Sequence, residues 1–418
     1  MVKSKEVLII GGGAAGMIAG ISAAREGAAV TIFEKNEKLG KKLFITGKGR
    51  CNLTNGCESE AFFEQVISNK KFMYSSFYSF DNFQVMAFFE SLGLSLKEER
   101  GERVFPASDR SSDVIKALER ELRKQNVKIL LGSEVTSLNY QEDAFKSLST
   151  REKEYFGDSC IIATGGCSYE STGSTGDGYK FAKERGLKVV SPRPALVGLE
   201  VRDPWVPLLQ GLSLKNVKGT FLAKGKVLYQ EFGEMLFTHY GISGPIVLSG
   251  SSACSKALSG QELTFSLDLK PALSEEQLDK RILREFEAGL NKQFKNVITA
   301  LFPAKFVPVL LSEGPIRGDQ VVNEITKEMR QELVTYIKNV KMTVTRPRPF
   351  KEAIITAGGV DVKELNPSTL ETKKITGLYF AGEVIDVDAL TGGFNLQIAW
   401  STGYQAGISA AKGEENGI

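Results

Sequence analysis

The feature that most constrains this chain is a glycine-rich turn between a strand and a helix near its N-terminus. Residues 7–10 are a short apolar run of the kind that a buried parallel strand shows, and residues 14–26 have the composition of a helix. The turn at 11–16 carries the spacing Gly-x-Gly-x-x-Gly, and a second apolar run follows at 29–33. This order predicts a β-α-β unit and therefore an α/β fold with a parallel sheet.

The chemistry of this turn is that of a dinucleotide-binding site. Gly11 permits the tight turn, Gly13 lets the backbone approach a pyrophosphate, and Gly16 lets the helix pack closely on the strand. The helix N-terminus offers free N–H groups to the phosphates. Glu34 ends the second strand 21 residues beyond Gly13, where a carboxylate can accept hydrogen bonds from a ribose diol. The cofactor contacts predicted in this unit are Gly11, Gly13, Ala14, Ala15, Gly16, Glu34 and Lys35.

Composition excludes several classes of function. The 53 Lys and Arg residues against 50 Asp and Glu residues give a net charge of +3 without a basic tail, so we expect no nucleic-acid partner. His239 is the only histidine, which excludes a multi-His metal site, and we expect no bound metal. The five cysteines include no CxxC pair, and their odd number fits a reducing cytoplasm better than a disulfide scaffold.

The apolar stretch at 7–24, preceded by Lys3 and Lys5, resembles a secretory signal peptide. However, its centre is the glycine turn, and the strand-like run that follows ends in an acid. We therefore expect a cytoplasmic protein without export or a membrane segment, and the sequence leaves the oligomeric state open.

Two Pro-containing connectors divide the chain by composition. The segments before 191–194 and after 346–349 alternate strand and helix patterns, whereas the segment between them begins with hairpin-like patterns and continues with helical spacing. The simplest interpretation is a discontinuous domain that carries an insertion. The predicted boundaries are 1–192 and 347–418 for the discontinuous domain and 193–346 for the insertion, which is β-rich over 193–270 and mainly helical over 271–346.

The loop that follows Glu34 favours a flavin over a nicotinamide cofactor. A nicotinamide domain usually continues with further βα units, but residues 39–55 are rich in Gly, Lys, Arg, Thr and Asn. Such a segment is a poor core segment, while its backbone amides and cations suit a pyrophosphate and the electron-rich pyrimidine end of a flavin. The sequence also lacks a second GxGxxG, so a pyridine nucleotide, NADH or NADPH, would bind only transiently as a reductant.

Several motifs together resemble one family. The run at 46–55, Thr-Gly-Lys-Gly-Arg-Cys-Asn-Leu-Thr-Asn, is similar to the signature of the BaiN/YhiN-like flavoproteins, the aminoacetone-oxidase family of FAD-binding enzymes. The resemblance continues in glycine-containing motifs at 163–166, 173–178, 237–245, 356–361, 381–386 and 391–397. It implies a glutathione-reductase-type Rossmann FAD-binding domain with non-covalent FAD, and a β-rich and helical inserted domain over the flavin. Lys48 stands where the family's loop has glycine.

The remaining cofactor contacts come from these motifs. The strand ending at 163 and the strand ending at 381 both deliver glycine turns to the cofactor, and the family fold places Val135 beside the adenine. The paired glycines at 392–393 open the last helix, whose N-terminus favours negative charge. The additional predicted cofactor residues are Lys42, Thr46, Gly47, Gly49, Arg50, Cys51, Asn52, Val135, Ala163, Thr164, Gly165, Gly166, Gly382, Glu383, Asp386, Gly393, Asn395, Leu396 and Gln397.

Three residues are candidates for catalysis, namely Arg50, His239 and Tyr240. Arg50 would stabilise negative charge, and His239 or Tyr240 would donate a proton from the segment 232–245, which we expect to form one wall of a small-molecule pocket opposite the 46–52 loop. A lone histidine is more often structural, and Cys51 is expected to be a buried packing residue. The predicted function is hydride transfer at flavin N5 to or from a small organic substrate, by oxidation of an amine or aminoketone or by C=C reduction. An FAD-binding scaffold or RNA-modification-related protein without redox turnover stays open as the alternative.

Overall fold

The computed structural model describes residues 4–412, and the chain divides into two compact units. Unit 1 joins the N-terminal part, up to Pro194, to the C-terminal part from Phe350, and unit 2 is Ala195–Pro349. The predicted boundaries at 193 and 346 lie two and three residues from those of unit 2. Within 4–412, no helix has the length and apolar character needed to cross a bilayer.

The strands of the described residues are, in chain order, β1 (Glu6–Ile10), β2 (Ala29–Phe33), β3 (Thr54–Asn55), β4 (Leu96–Glu99), β5 (Arg103–Pro106), β6 (Lys128–Leu130), β7 (Val135–Gln141), β8 (Ala144–Thr150), β9 (Glu154–Phe156), β10 (Ser159–Ile162), β11 (Val189–Ala195), β12 (Leu199–Val201), β13 (Ser213–Ala223), β14 (Lys226–Phe237), β15 (Gly241–Ser243), β16 (Leu263–Asp268), β17 (Val340–Pro347), β18 (Ile355–Val360) and β19 (Leu378–Phe380).

The α-helices of the same residues are α1 (Ala14–Arg25), α2 (Lys41–Ile45), α3 (Ser59–Gln65), α4 (Met73–Ser79), α5 (Asn82–Ser91), α6 (Ser111–Lys124), α7 (Asp177–Glu184), α8 (Pro245–Ala253), α9 (Ser255–Leu258), α10 (Glu275–Glu287), α11 (Phe294–Val297), α12 (Val307–Glu313), α13 (Lys327–Lys338) and α14 (Phe394–Lys412).

Unit 1 is built on a five-stranded sheet in the order β19-β10-β1-β2-β6, and every pairing in it is parallel. The strands β1 and β10 are apolar on both faces because both faces of the sheet are covered, one by α1 and α14 and the other in part by the β7–β9 sheet, where Tyr155 packs on Phe33. Since all five strands run the same way, their carboxyl ends meet at one edge. The predicted α/β Rossmann fold is confirmed, and this edge is where its ligand is expected.

Helix α14 holds the C-terminal part of unit 1 against the N-terminal part. A Cβ on Gly403 would come within 2.4 Å of the Ala15 carbonyl oxygen, and a Cβ on Gly407 within 2.4 Å of the Ala19 carbonyl oxygen. The absence of a side chain at both positions therefore lets α14 lie directly on the backbone of α1. This contact places the last helix beside the glycine turn at the start of the first.

Unit 2 contains a closed six-stranded barrel in the order β12-β15-β14-β13-β16-β17, with a separate apolar core. Two expectations for the insertion are wrong in detail. Helices α8 and α9 interrupt the predicted hairpin region, and the predicted helical part includes β17, which pairs with both β12 and β16. Strand β17 is needed to close the barrel, so a distant segment completes the sheet that the local pattern began.

The two Pro-containing segments are strand ends rather than free connectors. Pro192 and Pro194 lie in β11, and Pro347 is the last residue of β17. Proline tolerates these positions because strand ends and edges do not need every backbone donor. Helix α13 begins at Lys327, where Thr326 caps it by accepting a hydrogen bond from the Met329 backbone N–H.

Candidate functional site

The glycine turn after β1 has the geometry of a phosphate cradle. Gly11 has φ +105°, and a Cβ there would lie 2.5 Å from the Ala163 carbonyl oxygen. A Cβ on Gly16 would lie 1.9 Å from the Gly11 carbonyl oxygen, so α1 packs directly on the turn. By contrast, a Cβ on Gly13 would meet nothing within 4 Å. The space beside Gly13 at the α1 N-terminus is therefore free for an anionic ligand, as the sequence predicts.

The carboxylate of Glu34 lies at the end of β2 and binds the backbone of the glycine turn. One oxygen accepts from the Gly12 backbone N–H at 2.8 Å, and the other accepts from the Asn36 backbone and side-chain nitrogens at 2.8 and 2.7 Å. The residue is buried, which fixes the carboxylate at the strand end. Val135 lies nearby, because the Ser133 N–H donates to the Glu34 carbonyl oxygen at 2.9 Å.

Two further strand ends meet at the same edge of the sheet. The Ala163 N–H donates to Ile10 O at 2.9 Å, and the Ala381 N–H donates to Ile162 O at 3.0 Å. The structure therefore brings together three of the predicted cofactor segments, at 11–16, 163–166 and 381–383. The Thr164 hydroxyl is buried and has no hydrogen-bond partner among residues 4–412, which makes it a polar group available to a ligand.

A network of polar side chains joins these segments to the 39–55 loop. Lys42 Nζ lies 2.5 Å from Glu383 Oε2 and donates to Ser168 Oγ at 2.7 Å. The second oxygen of Glu383 accepts from the Thr356 N–H at 2.8 Å and from Ser168 Oγ at 3.1 Å. Lys42 and Glu383 are thus paired with each other. Ser168 and Thr356 belong to the same network, although the sequence analysis did not predict them as site residues.

Lys35 is also paired within unit 1. Its ammonium lies 2.6 Å from Asp177 Oδ2 and donates to Thr175 Oγ1 at 2.5 Å. Thr175 and Asp177 belong to the glycine-rich motif at 173–178, which carried the family resemblance but no assigned site residue. The signal that could have identified them is this motif's position at the start of a helix, directly after the 163–166 turn.

The loop at 46–51 adopts a run of left-handed backbone conformations. Gly47, Lys48, Gly49 and Cys51 have φ of +57°, +59°, +85° and +61°. Lys48 therefore takes a conformation that glycine adopts more readily, which accounts for the glycine expected at this position. The tight backbone turns the Cys51 N–H back to Thr46 O at 3.0 Å. Such a coil presents consecutive N–H groups, as an anion-binding loop requires.

Cys51 is fully buried and free, which confirms the expectation of a packing residue. Burial raises the pKa of its thiol to about 12, and the hydrogen bond with Thr46 only partly offsets this effect. The thiolate is therefore essentially absent at neutral pH, so Cys51 is a poor nucleophile.

Arg50 points into a cluster of charges on the surface of unit 1. Its guanidinium lies 2.5 Å from Glu99 Oε1 and 2.5 Å from Asp109 Oδ1, and it stacks on the Phe105 ring at 4.2 Å from the centroid. A hydrogen bond from Arg50 lowers the pKa of Glu99, and hydrogen bonds from Lys97 and then Arg50 lower that of Asp109. In this structure the charge of Arg50 is thus balanced by two carboxylates, and its catalytic role stays a prediction.

The loop at 52–55 meets the start of α14. A Cβ on Gly393 would lie 2.3 Å from the Thr54 carbonyl oxygen, and Asn55 Nδ2 donates to Gly392 O at 3.0 Å. With its amide oriented to accept from the Gly393 N–H at 3.0 Å, Asn52 also bridges the two segments. A cavity of about 400 Å³ borders this junction and is lined in part by Asn52, Asn55 and Gly392. Two predicted cofactor segments, more than 300 residues apart, therefore share one wall.

The side chains of the last predicted residues are engaged within the protein. Asn395 bonds to both backbone groups of Ala389, and Asp386 accepts from Asn69 Nδ2 at 3.0 Å. Gln397 is fully buried and bonds to Thr54, Phe80 and Ser401, while Leu396 is half-buried. These contacts fix the loop before α14. Direct binding of a cofactor by these side chains stays a prediction.

His239 and Tyr240 lie in unit 2, in the tight turn between β14 and β15. His239 is exposed, whereas Tyr240 is half-buried with its hydroxyl close to Gly198. Arg348 stacks on the Tyr240 ring with its guanidinium carbon 4.4 Å from the centroid. The two predicted proton donors thus differ in how firmly the fold holds them.

Within residues 4–412, no group of three or more His, Cys, Asp or Glu side chains could hold a metal ion. The site instead offers backbone N–H groups that donate, a buried strand-end carboxylate that accepts, and an unpartnered hydroxyl that can do either. These fit the pyrophosphate, the ribose and the polar ring edge of FAD. A Rossmann sheet with this cradle at its carboxyl edge defines the class of dinucleotide-binding proteins.

Comparison with known proteins narrows this class. The family described as "HI0933-like protein Rossmann domain" matches residues 5–409. The chain is 36% identical over 408 residues to a 3-dehydro-bile acid Δ4,6-reductase of Clostridium scindens, covering 97% of this chain and 98% of that one. It is 31% identical over 417 residues to a ribosomal RNA dihydrouridine synthase of Haemophilus influenzae, covering 99% and 100%. The chain therefore belongs to the HI0933-like Rossmann family, and the resemblance to BaiN/YhiN-like flavoproteins is confirmed.

A solved structure shares the fold at much lower identity. The 3-ketosteroid-Δ4-(5α)-dehydrogenase of Rhodococcus jostii superposes with a TM-score of 0.55 at 14% identity, covering 98% of each chain. This likeness extends over both units, and it is a likeness of fold. The protein is thus a member of an enzyme family built on the Rossmann flavoprotein fold, as the sequence predicts.

Proposed function

We propose that this protein reduces a carbon–carbon double bond conjugated to a carbonyl group, using FAD. The observation that carries the proposal is the pair of whole-length relatives, one acting at the Δ4,6 double bonds of a 3-dehydro-bile acid and one making dihydrouridine. Both products arise when hydrogen is added across a double bond that is conjugated to a carbonyl. This shared chemistry favours C=C reduction over the oxidation of an amine or aminoketone.

The reaction adds one hydride and one proton across the double bond. When bound and reduced by two electrons, FAD would supply the hydride, and a transient pyridine nucleotide is the class of reductant that would reduce the oxidised flavin again. The cradle at Gly13 and the hydroxyl of Thr164 would hold the cofactor, because the first is unobstructed and the second has no partner at the sheet edge. The carboxylate of Glu34 is already held by the Gly12 and Asn36 nitrogens at the end of β2 and would accept further hydrogen bonds from the ribose. Tyr240 is the proposed proton donor to the substrate, since the fold holds it more firmly than His239.

Anaerobic stopped-flow spectroscopy tests this proposal. The holoenzyme, with its flavin reduced by dithionite, is mixed separately with a Δ4-3-ketosteroid and with a uridine-containing RNA, and the oxidised holoenzyme is mixed with aminoacetone. We expect rapid reoxidation of the flavin by one of the first two compounds and the saturated product in equal amount. Reoxidation by O₂ alone would contradict the proposal, as would rapid reduction of the oxidised enzyme by aminoacetone.

A second candidate concerns the substrate, and a feature of unit 2 favours RNA. Unit 2 holds 20 Lys and Arg residues against 16 Asp and Glu residues. A groove of about 810 Å³ along α10 is lined by Lys270, Lys280, Arg281 and Arg284, with Glu287 as its one acidic residue. Partial burial lowers the pKa of Lys270, and the nearby charge of Arg281 lowers it further. Lys280 and Arg281 pair with Glu276 and Glu285, so an RNA phosphate bound in the groove would mainly balance the charges of Lys270 and Arg284.

Fluorescence anisotropy with a labelled single-stranded RNA separates the two substrate classes. The variant Lys270→Gln/Arg284→Gln removes two groove cations that have no ion pair among residues 4–412. Its matched control is Lys256→Gln/Lys327→Gln, which removes two exposed cations elsewhere in unit 2. We expect weaker binding and a flatter salt dependence, by about 1.4 in the logarithmic slope, for the groove variant alone. Equal binding by both variants would contradict an RNA contact in the groove.

A further inference from the structure

The geometry points to Arg348 as the residue that positions Tyr240, with Glu200 and Gly198 completing the arrangement. This inference rests on the proposed function, because it assigns the proton donor of that reaction. Arg348 itself donates no proton in it, since a guanidinium stays charged at all working pH values. It acts by fixing where the phenol lies.

The first observation concerns the space that Tyr240 occupies. A Cβ built on Gly198 would lie 2.5 Å from the Tyr240 hydroxyl oxygen and 3.1 Å from its Cε2 atom. The phenol therefore rests directly on the backbone at position 198. A residue with a side chain at 198 would push the hydroxyl away, so glycine is required there for reasons of space.

The second observation concerns the face of the Tyr240 ring. The guanidinium carbon of Arg348 lies 4.4 Å from the Tyr240 ring centroid, within the range of a cation–π contact. The Arg348 backbone N–H donates to Gly198 O at 2.9 Å, so the stacking group and the Gly198 backbone are tied to each other. Tyr240 is thus held by two contacts, one with the guanidinium of Arg348 and one with the backbone of Gly198.

Glu200 fixes the guanidinium in turn. Arg348 Nη1 donates to Glu200 Oε1 at 2.8 Å, and Arg346 Nε donates to Glu200 Oε2 at 2.7 Å. Burial alone would raise the pKa of Glu200, but hydrogen bonds from Arg346 and Arg348 outweigh it, and the pKa is lowered. The carboxylate is therefore charged at neutral pH and holds both arginines.

The two arginines differ in a way that the experiment can use. Both bind the same carboxylate, but the side chain of Arg346 is 71% exposed and that of Arg348 is 23% exposed. Of the two, Arg348 is the one stacked on Tyr240. Replacing either by methionine removes one positive charge and one hydrogen bond to Glu200. A difference between the two variants that disappears in a Tyr240→Phe background therefore reports the contact with the ring.

Holding a donor in one orientation raises the rate of a step that needs it, because the reacting groups no longer have to find each other. His239 gains no such restraint, since it is exposed and meets Tyr240 only edge-on, with the ring centroids 5.0 Å apart. The restraint of Tyr240 therefore distinguishes the two candidate donors.

The test measures reoxidation of the dithionite-reduced flavin by a Δ4-3-ketosteroid and by a uridine-containing RNA. We expect Arg348→Met to lower the rate at saturating substrate about ten- to a hundredfold with unchanged flavin content, and Arg348→Lys to restore part of it. Arg346→Met should stay within about twofold of wild type. In a Tyr240→Phe background, Arg348→Met should cause little further loss. A full further loss there, or equal effects of Arg346→Met and Arg348→Met, would overturn the inference.

A second measurement does not depend on turnover. The protein is labelled with 3-fluorotyrosine, and the ¹⁹F resonance of Tyr240 is assigned by its loss in Tyr240→Phe. We expect this resonance to shift and narrow in Arg348→Met, because the ring becomes free to move, and to stay unchanged in Arg346→Met. An unchanged resonance in Arg348→Met would overturn the positioning role even if the proposed reaction were correct. Absence of reoxidation by any conjugated substrate, with the expected ¹⁹F result, would instead count against the proposed function alone.

Discussion

The ammonium of Lys42 lies 2.5 Å from the carboxylate of Glu383, although the two residues are 341 positions apart. The pair joins the loop after the first β-α-β unit to the turn after the last strand of the sheet. Both side chains are 22% exposed, so the pair is only partly screened by water. Two segments that were each predicted to touch the cofactor are therefore joined by an ion pair.

We predict that Lys42→Met lowers the free energy of unfolding of the cofactor-free protein by about 1–3 kcal/mol. The substitution leaves the Glu383 carboxylate with only its neutral donors, Ser168 and the Thr356 N–H. Urea titration followed by circular dichroism measures the change. The control is Lys41→Met, whose ammonium lies 3.4 Å from the exposed Glu37 and should contribute less than about 1 kcal/mol. Equal losses in the two variants would show that the Lys42–Glu383 pair contributes no more than a surface pair.

Substitutions at two glycines of the same turn should affect different properties, the stability of the fold at Gly16 and the binding of flavin at Gly13. Gly16→Ala places a Cβ 1.9 Å from a backbone oxygen and should cost about 3 kcal/mol or more of stability. Gly13→Ala meets no protein atom within 4 Å, so the fold should keep its stability while the retained flavin falls. Thermal melts and the absorbance of the purified proteins near 450 nm measure both. Normal flavin content in Gly13→Ala would contradict the prediction that the pyrophosphate binds beside Gly13.

Glu34→Ala should weaken FAD binding by about 1–3 kcal/mol, because charge-assisted hydrogen bonds to the ribose are lost. The same change frees the Gly12 and Asn36 N–H groups, so some loss of stability should accompany it. Titration of the cofactor-free protein with FAD, followed by flavin fluorescence, gives the affinity. Glu37→Ala, at a solvent-exposed carboxylate on the same loop, is the control. An unchanged affinity in Glu34→Ala would contradict the Rossmann assignment of this carboxylate.

We predict that FAD is held non-covalently and that the buried thiols react slowly. Burial raises the pKa of Cys51 and of Cys254 to about 12, and that of Cys57 to about 11. Few thiolates are therefore present at pH 8. Acid precipitation should release the yellow colour into the supernatant, and these thiols should react with a disulfide reagent only after denaturation. Colour kept in the pellet would contradict the first expectation, and rapid reaction of Cys51 in the native protein the second.

The charge cluster around Arg50 should make stability depend on pH in a defined direction. The pKa values of Glu99 and Asp109 are lowered in the folded protein, mainly by hydrogen bonds from Arg50 and Lys97. Their contribution is fully present above the unfolded values near pH 4 and is lost as the pH falls through the folded values. Wild type should therefore melt at a higher temperature than Arg50→Met at pH 7, and the difference should shrink towards pH 3. Lys48→Met, at an exposed neighbouring cation, should show no such trend.

Much of unit 1 follows from local sequence because its signals are short-range. The strand, glycine turn and helix at 6–25 form a unit whose spacing fixes its own conformation, and the structure agrees with the prediction to within about one residue. Gly11 and Gly16 are predictable because close backbone approach excludes any other residue. Gly393, before α14, is predictable for the same reason, because it also lies against backbone.

The unpredicted features depend on contacts between distant segments. Nothing near 340–347 indicates that β17 leaves the helical part to close the barrel with β12, and nothing near Arg348 indicates that it stacks on Tyr240. Lys42 was predicted to bind a cofactor from its local surroundings, yet its partner Glu383 is supplied by the far end of the chain.

The sequence by itself thus determined the family, the Rossmann unit and the backbone that cradles a dinucleotide, because spacing and glycine geometry act over a few residues. Only the tertiary structure decided which charges are balanced and which side chains are held in one orientation. The guanidinium of Arg50 is paired with the carboxylates of Glu99 and Asp109, and Tyr240 is held by contacts with Arg348 and Gly198. The physical reason is that ion pairs and ring contacts form over distances of about 3–5 Å. The residues that make them are neighbours in space but lie far apart in the chain.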